Sequence, residues 1–267
     1  RVKWDVVIAD SDKGYWSTNA PLIVGNHVMV GVSGDFDNVA GQLKSVDAVT
    51  GETQWIFYST PPPGTPGAIS GGATGGQMWT TGTYDPVLNL VFVGTGNPTP
   101  VLNGKARPGD NPWTCSIVAI NPDTGKLVWY FQHVPNDQWD FDWAFERQLL
   151  TLPINGRDRE VLLTSGKEAI YDALELDGGK YAFSIDLGLQ NFITDIDART
   201  GAKTIDPKLV PSRGQVLDHI GLTYPNLDTH VPRLRREGVK ILEDVHKWGD
   251  TRAAMIEAGL KRKRSSA

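Results

Sequence analysis

One phrase occurs four times in this chain, and the repetition limits the possible fold more than any other feature. Residues 45–55 read Ser-Val-Asp-Ala-Val-Thr-Gly-Glu-Thr-Gln-Trp, and residues 119–129 read Ala-Ile-Asn-Pro-Asp-Thr-Gly-Lys-Leu-Val-Trp. A degenerate copy at 173–183 carries Gly178 and Gly179 at the turn. A fourth, at 195–204, keeps the turn and lacks the Trp. The physics of the phrase is a hairpin. A strand ends at Asp or Asn, the chain turns with Gly supplying a positive φ, and the return strand sets an aromatic on one face. Further strand-like runs precede the copies, at 22–32 and 87–94. Four short strands per unit is the pattern of a propeller blade. The expected fold is therefore all-β, a β-propeller of four-stranded blades, rather than a sandwich of unrelated hairpins.

Bulk properties agree. The 267 residues can bury a substantial core. Twenty-nine Gly and nine Trp among short apolar runs favour strands over helices. A net charge of −5 argues against a general nucleic-acid binder, and no apolar run is long enough to span a membrane as a helix. The single cysteine, Cys115, reads as a small buried residue. The chain opens at Arg1 with no charged-then-apolar leader, so any secretion signal is expected to be removed or absent. Gly/Pro-rich stretches at 61–67, 71–76 and 104–112 read as packed loops over a rigid scaffold. Past residue 220 the character changes. Residues 231–264 are charge-rich, with Val239, Leu242, Val245, Ile256 and Leu260 at helical spacing and four basic residues at the end. Two domains are expected, 1–220 as propeller and 221–267 as a solvated, partly helical tail.

Three residues carry oxygen donors on loops after strand-like runs. Asn97 follows Gly94-Thr95-Gly96, and Asp140 and Asp142 stand at i, i+2 behind Trp139. An amide and a carboxylate pair suit one hard cation, Ca²⁺ or a larger trivalent ion, better than zinc. Taken singly, each has an ordinary reading: Asn97 as a turn residue, Asp140 as a strand-end cap, Asp142 as a surface acid. Hydrolase chemistry has no support. There is no Gly-x-Ser-x-Gly elbow, and the five histidines show no ligand spacing.

The ordered series Met78-Trp79-Thr80-Thr81-Gly82-Thr83-Tyr84-Asp85-Pro86, Gly94-Thr95-Gly96-Asn97-Pro98-Thr99-Pro100, Arg107-Pro108-Gly109-Asp110-Asn111 and Pro135-Asn136-Asp137-Gln138-Trp139-Asp140-Phe141-Asp142 resembles the pyrroloquinoline-quinone (PQQ) alcohol dehydrogenases of the methanol/ethanol type. The resemblance implies an eight-bladed propeller with the quinone in its central funnel. It implies full chains about twice this length, so this chain would hold about half the blades. A fragment, or a protein completed by association, is expected, and open blade faces and strand edges favour self-association.

The resemblance also implies roles. Asn97 would be an amide ligand of the metal, and Asp140 the base that takes the substrate's hydroxyl proton beside the metal. Asp142 would be the extra carboxylate of lanthanide-using members. Trp79 would be the floor under the quinone, and Lys167 the cation against its carbonyls, with a part in catalysis. Singly, Trp79 also reads as a core residue and Lys167 as a strand-end lysine. Ser33, in the pair Ser33-Gly34, falls at the cofactor. The family's glutamate ligand just after that pair is replaced by Phe36, leaving Asp35 or Asp37 as a shorter substitute donor. The implied cofactors are PQQ with Ca²⁺ or a lanthanide, and the implied substrate is a small primary alcohol. A cytochrome c-type electron acceptor and a periplasmic location follow from the same resemblance. A non-catalytic PQQ-like propeller used as a binding or assembly scaffold explains the repeated phrases equally well. It does not explain Asn97, Asp140, Asp142, Trp79 and Lys167 together.

Overall fold

The computed structural model describes residues 1–34, 39–61, 64–65, 68 and 74–208, together with the backbone of Ile220–Thr223, Lys240–Ile241, Lys247–Trp248 and Thr251–Glu257. Each hairpin phrase folds as its side chains dictate. The carboxylate of Asp47 accepts the backbone N–H groups of Val49 and Thr50 at 2.8 and 2.9 Å. Asn121 does the same for Asp123 and Thr124, and Asp197 for Arg199 and Thr200. These side chains close the turn through hydrogen bonds that reach only two or three residues along the chain. The following Gly51, Gly125 and Gly201 sit at φ of 78°, 67° and 71°, where a side chain is strained.

Three four-stranded antiparallel sheets result, as the repeat predicts. The first runs in order through β1 (Leu22–Val24), β2 (His27–Gly31), β3 (Gln42–Asp47) and β4 (Thr53–Tyr58). After a short strand β5 (Thr74–Gly75) comes the second sheet, built from β6 (Thr83–Asp85), β7 (Leu90–Gly94), β9 (Ser116–Ile120) and β10 (Leu127–Gln132). The strand β8 (Pro98–Thr99) lies between β7 and β9 in sequence and pairs with β5 instead. The third sheet is β11 (Arg147–Ile154), β12 (Arg157–Ser165), β13 (Ile170–Glu175) and β14 (Tyr181–Asp186). A pair, β15 (Ile193–Ile196) and β16 (Lys203–Ile205), carries the fourth phrase.

The second sheet is covered on both faces, and its sequence shows why. All five residues of β7, Leu-Val-Phe-Val-Gly, are buried, as are all five of β9. Alternation sends Val91, Val93, Val118 and Ile120 into one core with Met29, Leu43 and Met78 of the first sheet and its exit. Leu90, Phe92, Ile117 and Ala119 enter the other core with Leu162 and Leu174 of the third. The phrase itself clasps neighbouring sheets. A Cβ on Gly125 would lie 2.5 Å from the Trp55 ring, and one on Gly179 would lie 2.3 Å from Trp129. The indole N–H of Trp55 donates to the Pro122 carbonyl at 2.7 Å, and that of Trp129 to Leu176 at 3.2 Å. Trp4 meets Gly51 in the same way. In the degenerate copy it is Tyr181, two positions earlier in the phrase than Trp, that closes on Gly201.

Residues 1–212 form one compact unit and 213–267 a second. The amphipathic helix expected over 231–264 lies largely outside the described residues. Where that stretch is described it is extended: Thr251–Glu257 pairs antiparallel with Ile220–Thr223, Lys240–Ile241 and Lys247–Trp248. Backbone pairing across some 30 residues overrides a local helical period there, because the period counts apolar residues and not the strand partners available to them. No described helix is long and apolar enough to cross a membrane.

Candidate active site

Ser33, just past β2, is bridged by backbone hydrogen bonds to Trp16 in both directions. Trp79 follows Met78, whose N–H is tied to the Val32 carbonyl at 3.0 Å. Asn97 lies between β7 and β8, and Asp140 and Asp142 lie in the connection from β10 to β11. Lys167 lies between β12 and β13. All six line one cleft of about 440 Å³, with Trp16, Thr18 and Val101. Residues 134 positions apart in sequence thus share a wall because loops from all three sheets open to the same side.

The charged heart of the cleft is a cation between two carboxylates. The Lys167 ammonium lies 2.6 Å from Asp142 Oδ2 and 2.9 Å from Asp140 Oδ2. Burial pulls the Lys167 pKa down, but Asp142 and Asp140 together outweigh it and hold it above the ordinary lysine value. Asp142 is nearly buried and Asp140 half-exposed. The other oxygen of Asp142 accepts the Asn97 backbone N–H at 3.0 Å, tying two candidate donors together. Asp140 sits at φ 72°, a left-handed conformation that Asp tolerates better than most residues and that is concentrated at functional sites. Trp79 is held by the Thr18 hydroxyl on its carbonyl at 3.0 Å and by the edge-on ring of Phe145 at 5.2 Å.

Sequence reasoning missed Asp137. Its carboxylate is fully buried and accepts the Asn97 side-chain amide at 2.6 Å and the backbone N–H groups of Trp139 and Phe141 at 3.0 and 3.1 Å. Burial raises its pKa, opposed by those three hydrogen bonds and by the charge of Arg107. Arg107, also fully buried, ties the loop down through Asn111, Asn136 and the carbonyls of Pro100, Val101 and Asp137. The available signal was Asp137 two residues ahead of Trp139, an Asx-turn spacing. Also missed was a buried polar cluster behind the cleft. His133 stacks on Trp143 at 3.5 Å and bonds Asp172 at 2.6 Å, while Lys203 reaches Asp172 at 2.5 Å. Glu168 accepts the Trp143 indole N–H at 2.8 Å. Cys115 is buried, as expected, and burial holds its thiol well above the ordinary value.

The substitute donor Asp35, with Asp37, lies outside the described residues. Among the described residues no three His, Cys, Asp or Glu side chains cluster as a metal site. The donor set is one amide and two carboxylates, all hard oxygens, and the two carboxylates already surround a positive charge supplied by Lys167. The Ser33 hydroxyl lines the same cleft, buried and without a hydrogen-bond partner among the described residues. An unpaired buried hydroxyl, a flat indole and a cation beside oxygen donors fit a planar, polyanionic quinone next to a hard metal ion.

Residues 2–186 match the PQQ family profile described as glucose/ethanol/alcohol dehydrogenase, beta-propeller domain. The chain belongs to this quinoprotein propeller family. It is 34% identical over 216 residues to the quinohemoprotein alcohol dehydrogenase ADH IIB of Pseudomonas putida, covering 74% of this chain and 31% of that protein. It is 33% identical over 237 residues to the lanthanide-dependent methanol dehydrogenase of Methylorubrum extorquens, covering 80% and 39%. Among solved structures, a europium-containing methanol dehydrogenase superposes with a TM-score of 0.71 at 30% identity, covering 77% of this chain and 40% of that one. The matched stretch spans about a third of the length of these curated relatives.

Proposed function

We propose that this propeller portion forms one side of a PQQ- and metal-dependent active site that oxidises a primary alcohol to the aldehyde. The observation that carries the reading is the convergence of Trp79, Ser33, Asn97, Asp140, Asp142 and Lys167 on one cleft. Bound PQQ supplies a two-electron acceptor, and its metal polarises the accepting carbonyl. Asn97 and Asp142 would hold the metal with Asp140 at its edge. Of the two carboxylates Asp140 is the more exposed, so it meets substrate and takes the hydroxyl proton. Lys167, held cationic by both acids, would stabilise negative charge that develops on the acceptor. Trp79 presents a flat face, and Ser33 offers a donor that has no other partner among the described residues. The second carboxylate, Asp142, favours a trivalent lanthanide over Ca²⁺, since one more anionic ligand offsets the higher charge. A cytochrome c-type acceptor and a periplasmic location complete the reading.

The scaffold alternative requires none of these groups to meet, so their meeting favours the enzyme. Reconstitution of the chain with PQQ and either Ca²⁺ or La³⁺ tests it. Dye-linked oxidation of ethanol is expected, with a loss of at least about 100-fold in Asp140→Ala. A chain that binds PQQ with neither metal overturns the assignment.

A further inference from the structure

The amide of Asn97 has two faces of opposite chemistry, and only its oxygen serves a cation. Nothing in residues 94–100 fixes which face points into the cleft. The fully buried carboxylate of Asp137 does. At 2.6 Å from Asn97 it accepts only, so the nitrogen must point towards it and the oxygen away. The same oxygen of Asp137 accepts the Phe141 N–H, and the other accepts the Trp139 N–H. Those two backbone groups flank Asp140, whose φ of 72° needs outside support. Arg107 in turn holds the Asp137 carbonyl. One buried side chain therefore touches both halves of the candidate donor set.

We infer that Asp137 is the positioning residue of the cleft, a carboxylate that aims the Asn97 amide oxygen at the cation and sets the turn carrying Asp140 and Asp142. This rests on the metal-site reading above. Asp137 itself holds no ligand. It acts as outer partners of metal ligands act, by locking a first ligand's orientation.

The electrostatic logic predicts an exchange. In Asp137→Asn one carboxylate oxygen becomes an NH₂ that meets a donor whichever way it points, the Trp139 N–H on one side or the Phe141 N–H and Asn97 amide on the other, so Asn97 is no longer held in one orientation. In the double variant Asp137→Asn/Asn97→Asp, the carboxylate at 97 accepts from the amide at 137 and still offers an oxygen outward. Titration of the full chain with Tb³⁺, read by luminescence sensitised through the cleft tryptophans, should show a loss of about 10- to 100-fold in affinity for Asp137→Asn and recovery of most of it in the double variant. Asn97→Asp alone adds the same carboxylate but faces it with the retained Asp137, so weaker Tb³⁺ binding in that single variant than in the double variant separates orientation from added charge. Equal Tb³⁺ affinity in wild type and Asp137→Asn, or no recovery in the double variant, overturns the inference. A second readout needs no metal. In the ¹⁵N-labelled wild-type chain the Asn97 side-chain amide protons should exchange slowly and lie downfield, and both signatures should weaken in Asp137→Asn, which lacks the charged acceptor. Ordinary exchange in the wild type refutes the positioning role. Slow exchange in a chain that binds no Tb³⁺ upholds the positioning and refutes the metal site.

Discussion

Glu168 follows Lys167 in the chain, yet Lys167 faces the cleft and Glu168 is fully buried. Burial lifts its carboxyl from 4.5 to about 8, against the pull of the Trp143 indole N–H. Folding thus strengthens its hold on a proton. The stability linked to that proton is complete below about 4.5 and is lost as pH rises through about 8. His133 works in the opposite sense. Burial lowers it from 6.5 to about 4 despite Asp172, so its contribution is complete above 6.5 and is lost as pH falls through about 4. Glu168→Gln keeps the acceptor for Trp143 and removes the titration. Urea unfolding should show the variant more stable than wild type near about pH 9 and little different near about pH 5. Parallel pH profiles would remove Glu168 as the source of alkaline loss. At this scale the sequence exposed Asn97, Asp140 and Asp142, since each brings its own donor chemistry. Only the Asx turn of Asp137 was local; its hold on Asn97 and the proton affinity of Glu168 come from burial and from neighbours 40 and 25 residues away.

Each turn of the repeated phrase is local chemistry, and each clasp is not. Trp55 and Trp129 were legible as aromatics on one face of a return strand. Their partners, Gly125 and Gly179, belong to the next copy of the phrase. The adjacent pair Gly178 and Gly179 separates the two effects. Both have positive φ, but a Cβ on Gly178 meets nothing within 4 Å, whereas one on Gly179 strikes the Trp129 ring. Gly178→Ala should cost only the backbone term of about 1–2 kcal/mol. Gly179→Ala should cost that plus about 1–3 kcal/mol of overpacking. Equal urea midpoints for the two variants would show that the clasp does not contribute. The β14 copy illustrates the limit of pattern reading. Phe183 falls at the register of the Trp, opposite Ala173, but Tyr181 makes the contact with Gly201 from the position that Thr53 and Leu127 hold in the other copies. The tail shows the same limit, since the residues described between 240 and 257 pair as strands where apolar spacing suggested a helix.

At the scale of the molecule, the first unit presents three four-stranded sheets and two described strand pairs, β5–β8 and β15–β16. Large apolar side chains are exposed at and beyond the end of the third sheet, with Ile185 and Leu187 half-exposed and Leu189 at 79%. Val2, Val7 and Val87 are exposed as well. Exposed strand edges and apolar side chains of this kind promote association. The isolated 267-residue chain should therefore elute as an oligomer or aggregate in light scattering. A monodisperse monomer would show that these surfaces are tolerated in water.

The sequence by itself determined the all-β class, the hairpin phrase, and the hard-oxygen character of the donors at 97, 140 and 142. These rest on turn chemistry and side-chain type, which act within a few residues. Tertiary structure decided which Trp closes on which Gly, and that Lys167 sits between Asp140 and Asp142. It also decided that Asp137 turns the Asn97 amide and that Glu168 keeps a proton. Desolvation and hydrogen-bond direction depend on what faces a group across the fold, and no local pattern carries that information. The oxygen donors were written in the loops; their convergence and orientation came from stacking three sheets so that those loops share one cleft.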